Sequence, residues 1–229
     1  LPSFRCSARR LPLTHFAMIL DTPRFALCFF VLTSLAHGAG EPVSVEAEDG
    51  ALGAEMASAT ADGVTYISAT TDGAGDSPGS AARVASYSVT FPEAGTYQLY
   101  ARLYVGEAGA SDDSFFYGNG FGAKDVASAD AWIRVNQLAT GIGSTRPDDL
   151  VPGEEAAGSQ VWKWVMLSGF SGDETPINFQ VPAGQLTQTF QIGAREDGLR
   201  LDKFVFGRDG YFYTVDNLKK GEAGAESTP

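Results

Sequence analysis

Cysteine and histidine are almost missing from this 229-residue chain. It has two of each (Cys6, Cys28, His15 and His37), all within the first 38 residues. Beyond them there is no disulfide staple, no Ser-His-Asp or Cys-His nucleophile, no imidazole proton shuttle and no zinc site of the usual His/Cys kind. Chemistry there falls to carboxylates, Lys, Tyr or Ser. Basic side chains are scarce as well: from residue 39 on, 12 Lys and Arg face 27 Asp and Glu, a net charge of −15 against −12 for the whole chain. A polyanion of this kind repels nucleic acid and anionic membrane surfaces, so neither is expected as a partner. The same surplus suits a protein that loads hard cations.

Long apolar runs are lacking too. The run FALCFFVLTSL at 25–35 has 11 residues, short of the roughly 20 that span a bilayer. It follows Met18 and Arg24 and precedes the small residues Ala36, Gly38 and Ala39. This is the pattern of a secretory signal peptide over 18–38, with an uncleaved anchor as the alternative. The mature protein is expected to be secreted, extracellular or periplasmic, and free of the membrane. Residues 1–17, ahead of Met18, read as upstream leader without a fold of their own.

From Val43 onward the spacing has period two, punctuated by Gly, Pro and Asp, and helical spacing is rare. The sequence predicts an all-β, single-domain, two-sheet β-sandwich of jelly-roll type over 39–207. The clearest predicted hairpin joins 82–91 to 96–105 through the turn PEAG, where Pro92 fixes φ and Gly95 allows a positive one. Further strands are predicted at 43–48, 63–68, 113–117, 131–135, 160–167, 175–181, 187–194 and 199–206. The stretches 106–130 and 136–159 read as long loops, the usual place for binding on a rigid sandwich. Residues 208–229 read as an ordered aromatic extension that ends in a disordered terminus.

Some residues stand out chemically. Glu46 and Glu48, two apart in a predicted strand, should point the same way, and such a pair wants a cation between them. Asp202, an acid inside an apolar strand, also wants a partner. A hard-cation site of oxygen ligands, a glycosidase carboxylate pair or a solvated edge could each account for them. Trp162 and Trp164 share a strand face. One is expected in the core and the other exposed as a platform for the CH face of a sugar ring, with Tyr66 as a second wall. Arg195, Glu196, Asp197 and Arg200 crowd one turn, either as an exposed salt-bridged turn or as two arginines able to hold a sugar carboxylate. NGFG at 119–122 has no strand-to-helix context, so phosphate binding is not supported.

Taken in order, VEAEDG at 45–50, the Tyr66 segment, FPEAGTYQLYAR at 91–102, DDSFFY at 112–117, VWKWV at 161–165 and FQIGAREDGLRLDKFVF at 190–206 resemble the carbohydrate-binding modules of families 6 and 35. These are galactose-binding-like jelly rolls, usually attached to polysaccharide-degrading enzymes, and the likeness spans roughly 43–207. It implies a structural Ca²⁺ held by Glu46, Glu48 and Asp202 with backbone carbonyls. It also implies a sugar enclosed by Tyr66 and Trp162, with Trp164 in the core. Where many relatives carry a sugar-binding Asn two residues before the last-strand Asp, this chain has Arg200, a departure that points away from the usual neutral-sugar contact toward an anionic sugar. The expected function is a monomeric, non-catalytic module that binds a polysaccharide or oligosaccharide, alone or beside an enzyme. The alternatives are a small glycosidase or polysaccharide lyase, for which Glu196 and Asp197 are the candidate acids, and a structural exported protein with all its aromatics in the core.

Overall fold

The alternating apolar residues become strands in the computed structural model, which describes residues 38–140, 143–152, 157–170 and 174–227. The leader and all but the last residue of the expected signal peptide lie outside these residues. The chain divides into two units, Leu1–Leu35 and Ala36–Pro229, and every described residue belongs to the second.

The strands are, in chain order, β1 (Val43–Glu46), β2 (Ala51–Leu52), β3 (Met56–Ala61), β4 (Val64–Ala69), β5 (Val84–Thr90), β6 (Gly95–Tyr104), β7 (Phe115–Gly118) and β8 (Trp132–Val135). Then follow β9 (Leu150–Val151), β10 (Trp162–Met166), β11 (Phe179–Val181), β12 (Thr187–Ala194), β13 (Arg200–Arg208), β14 (Tyr211–Thr214), the helix α1 (Val215–Lys220) and β15 (Ala225–Glu226). A seven-stranded sheet runs β10-β6-β13-β4-β3, with β1 beside β13 and β11 beside β6. A five-stranded sheet runs β2-β5-β12-β7-β8. All pairings are antiparallel, and the two sheets form a β-sandwich of the jelly-roll type.

The expected hairpin does not form. β5 lies in the five-stranded sheet and β6 in the seven-stranded one, so the PEAG turn arches from one layer to the other. Phe91, at the end of this first arm, packs on Tyr97 of the second at 4.7 Å between ring centroids. Period two shows that each arm has a core face, and two such arms satisfy it equally by pairing edge to edge or by facing each other across a core.

Between the sheets lies an aromatic core. Phe179, Phe190, Phe204 and Phe206 are wholly buried and meet edge to face at 5.1–5.7 Å. Such contacts add specific geometry to the area each ring removes from water. A second apolar cluster sits on the opposite face of the seven-stranded sheet, where Tyr100, Trp164 and Val205 are covered by Val151, Tyr213, Val215 and Leu218.

That cover is the C-terminal extension, and it is ordered further than expected. Thr214 and Asn217 close a reciprocal capping box on α1, and Gly221 ends the helix with φ 71°, a conformation Gly adopts without steric cost. Within the terminus expected to be disordered, Ala225–Glu226 pairs with β14. The Tyr213 hydroxyl donates to the Gly40 carbonyl at 3.0 Å and accepts from the Arg208 N–H at 2.8 Å, which ties the extension to both ends of the sandwich.

A candidate aromatic and cationic binding face

Antiparallel register assembles the face row by row. Trp162 of β10 stands opposite Tyr104 of β6, which stands opposite Arg200 of β13. One row along come Trp164, Arg102 and Lys203, and the next row, Met166, Tyr100 and Val205, lies under the C-terminal extension. Tyr66 joins from β4, because its neighbour Ile67 is buried in the core opposite Leu201 and alternation turns Tyr66 to the other side.

The side chains of the first row touch one another. The Trp162 ring lies 5.5 Å from Tyr104 and 6.0 Å from Tyr66, tilted by 52° and 55°. The Arg200 guanidinium stacks 4.7 Å from the Tyr104 ring centre and 5.1 Å from that of Tyr66, and Arg102 stacks 5.2 Å from Trp162. Trp162, Tyr104, Tyr66 and Arg200 are all half-buried. Three of the four were singled out by sequence. Tyr104 was placed in a strand without a role, since nothing local distinguishes an outward Tyr from a core one.

Tyr66 and Trp162 do not stand apart as two parallel walls. A sugar held between two rings needs van der Waals distance on both sides, roughly 3.5–4 Å each, whereas these rings are already in contact. The arrangement is one continuous aromatic surface with a cation set into it. Trp164 is buried as expected, though beneath the C-terminal extension on this same outer face and not between the sheets. Trp132 is buried in a separate small cluster, with its Nε1 donating to the Asp125 carbonyl at 3.0 Å.

A β-bulge shapes the charged part of the face. Leu201 pairs with Leu103 and Lys203 with Arg102, so Asp202 has no opposite residue. The extra residue re-aims everything after it: Leu201, Phe204 and Phe206 all reach the core, although strict alternation would separate the first from the other two. Asp202 is buried and accepts from Arg102 Nη1 at 2.9 Å, while Lys203 pairs with Glu46 at 2.7 Å. Burial pushes the Asp202 carboxyl above its ordinary range, and Arg102 partly opposes this.

The Glu-x-Glu pair departs from its expected geometry. β1 ends at Glu46, and Glu48 lies in the single 3₁₀ turn Ala47–Asp49, fixed by the Tyr87 hydroxyl donating to the Ala47 carbonyl at 2.8 Å. The two carboxylates still lie close. Glu48 is raised first by burial and further by Glu46, Asp202 and Asp49, and its Oε2 is buried without a hydrogen-bond partner. Among the described residues no three His, Cys, Asp or Glu side chains stand together closely enough to hold a metal ion. The orphaned Glu48 oxygen is the feature here that suits a hard cation; Glu46 and Asp202 are held instead by Lys203 and Arg102.

The turn at 195–200 splits in two. Glu196 accepts from the backbone N–H groups of Asp113 and Ser114 at 2.6 and 2.8 Å and pairs with Arg195, so both residues brace the loop. The Asp197 N–H donates to the Asp72 carboxylate at 3.0 Å. Arg200 takes no part in this network.

Behind Trp162, on the core side of β10, Lys163 is completely buried. Its ammonium donates to the carbonyls of Leu138, Ala157 and Gly158, and burial lowers it to about 8 against the opposing pull of Asp113. The Gln160 N–H meanwhile donates to the Val105 carbonyl at 2.8 Å. The segment leading into Trp162 is thus pinned from below by Lys163 and from the side by the residue after Tyr104.

No family model matches the chain, and no curated protein matches it. Among solved structures it is similar to isomalto-dextranase from Arthrobacter globiformis T6 complexed with panose, at 13% identity and a TM-score of 0.40. The match covers 72% of this chain and 23% of that one, so the chain spans about a quarter of that enzyme's length.

Proposed function

We propose that this is an exported, non-catalytic carbohydrate-binding domain that holds a polysaccharide or oligosaccharide against the face built by Trp162, Tyr104, Tyr66 and Arg200. The observation that carries this reading is the contact row itself: three half-buried rings and a guanidinium joined across four strands, on a sheet face whose far part, from Trp164 to Tyr100 and Val205, is covered by the C-terminal extension. A sandwich can bury its aromatics, as this one does with Phe190 and Phe206. Rings held rigidly at the surface offer apolar area at little entropic cost, which suits the CH face of a pyranose. An open face of this kind gives modest affinity. Export rests on the 18–38 sequence pattern, and the domain is expected to act as a monomer.

Calcium belongs to the same proposal, with Glu46, Glu48 and Asp202 as its side-chain ligands once Glu46 and Asp202 turn towards Glu48 from Lys203 and Arg102, with which they are paired in this structure. Support comes from the buried Glu48 oxygen that no donor reaches and from the all-oxygen donor set, which suits Ca²⁺. When bound, the ion would neutralise these carboxylates and fasten the end of β1 to the bulge of β13.

Retardation of the purified protein on affinity gels containing xylan, β-glucan, mannan, pectin or alginate tests the reading. Retention on at least one gel, lost in Trp162→Ala with the fold intact, is expected. No retention on any of them, with tryptophan fluorescence unmoved by the glycans, overturns it in favour of a structural role.

A further inference from the structure

Seven arginines lie among the described residues, and six of them pair with a carboxylate: Arg83, Arg102, Arg134, Arg146, Arg195 and Arg208. Arg83 shows what a structural arginine looks like in this fold. It is buried, and its donors reach the Ala194 carbonyl, the Glu55 carboxylate, the Thr71 hydroxyl, the Thr71 carbonyl and the Arg195 carbonyl. Arg200 is the exception. Its contacts among the described residues are the faces of Tyr66 and Tyr104, and neither gives an N–H an acceptor.

The exception is informative because acceptors are abundant. In a chain with 27 acids after residue 38, a guanidinium without a carboxylate is not a matter of supply. The neighbouring charges cancel among themselves, Arg102 against Asp202 and Lys203 against Glu46, which leaves Arg200 as the uncompensated cation of the face. Stacking occupies the flat faces of a guanidinium and leaves its five donors in the plane, as a preset fork. Half-buried between two rings, those donors are poorly served by water, and an oxyanion that meets them forms a charge-assisted, bidentate pair.

We infer that the saccharide taken by this face is acidic: a hexuronate whose carboxylate sits on the Arg200 fork while its ring lies against Trp162. This rests on the reading of the face as a sugar site and adds the class of sugar. Arg200 is then the specificity-determining residue and Trp162 the general platform.

The test is affinity electrophoresis of the intact protein on polygalacturonate and alginate against the neutral xylan backbone and β-glucan, for wild type, Arg200→Gln, Arg200→Lys and Trp162→Ala. Circular dichroism on each variant confirms that it is folded. Wild type is expected to bind the uronates at least ten-fold more tightly than the neutral chains, the local pair with Arg200 outweighing the repulsion between a polyuronate and the net charge of −15 carried after residue 38. Arg200→Gln should lose about ten- to a hundred-fold on uronates, the range of a charge-assisted pair, with little change on neutral glycans. Arg200→Lys, which keeps the charge without the fork, should recover only part. Equal binding of neutral and uronic chains, or uronate binding indifferent to Arg200→Gln but lost in Trp162→Ala, overturns the acidic-sugar inference and leaves the sugar face standing. Absence of binding to every glycan overturns both.

Discussion

Arg102 donates to Asp202 at 2.9 Å while its guanidinium lies 5.2 Å over the Trp162 ring, so one side chain connects the carboxylate of the proposed calcium site to the aromatic face. Removing Arg102 leaves a buried carboxylate without its counter-charge and a tryptophan without its cation. Arg102→Met is expected to lower stability in urea by about 1–3 kcal/mol, less than for a fully buried pair because Arg102 is partly exposed. Arg102→Met combined with Asp202→Leu should recover most of that loss, and a double variant as unstable as the single one would show that the pair is not the cause.

Trp162 and Trp164 share a strand face and should behave oppositely. Trp164 is packed under Tyr213 and Leu218, so Trp164→Ala is expected to cost about 3–5 kcal/mol, the usual range for emptying a buried aromatic site. Trp162→Ala should cost little stability and abolish glycan retention. Urea melts and gel retardation on the same two proteins check both statements.

Lys163 makes the stability of the fold depend on pH. Its ordinary value of 10.5 is lowered to about 8 by burial, so between these values the unfolded chain holds a proton that the folded one has released. More protons on the unfolded state means that stability contributed by this group rises with pH over about 8 to 10.5. Lys163→Met removes the titrating group and leaves three backbone carbonyls without their donor. The stability gap between wild type and Lys163→Met should therefore be positive at pH 7 and widen towards pH 10, read by urea denaturation across that range. A gap constant with pH would mean that Lys163 titrates as an ordinary lysine.

Chelation tests the metal. With EDTA the melting temperature is expected to fall, and added Ca²⁺ should restore it, as any ligand selective for the native state does. Glu48→Gln, which replaces the orphaned carboxylate, should be insensitive to both. A melting temperature unchanged by EDTA in the wild type counts against calcium.

The C-terminal extension should be structural throughout. Tyr213→Phe removes a hydroxyl that bonds Gly40 and Arg208 and is expected to cost about 1 kcal/mol. Deletion of 209–229 uncovers Tyr100, Trp164 and Val205 and should produce binding of a hydrophobic dye together with a large loss of stability.

Much of the architecture was legible in the chain. Period-two alternation located β12 to the residue and placed β1, β4, β6 to β8, β10, β11 and β13 within a few residues. β3 was missed because MASATA is small and polar, with four of its six residues exposed. β9, within the stretch 136–159 read as a loop, and β14 and β15 were missed because their partners lie far away in sequence or in a stretch that reads as linker. Of the candidate site, Tyr66, Trp162 and Arg200 were visible as residue types, and the structure brings them into contact. Tyr104 was not visible, since its role depends on standing between Trp162 and Arg200 across two strand pairings.

By itself the sequence determined the class of the fold, since alternation without helical spacing forces sheets with one buried face. Its composition also removed histidine and cysteine chemistry from everything after residue 38. Only the tertiary structure decided which sheet each strand joined, because alternation shows that a strand has a core face and says nothing of its neighbours. The PEAG arch and the bulge at Asp202 are the two places where that freedom was resolved. The bulge puts Arg200 and Lys203 on one outer face and Leu201 and Phe204 in the core, and long-range pairing then lays Tyr66, Tyr104 and Trp162 around an arginine left without an acid.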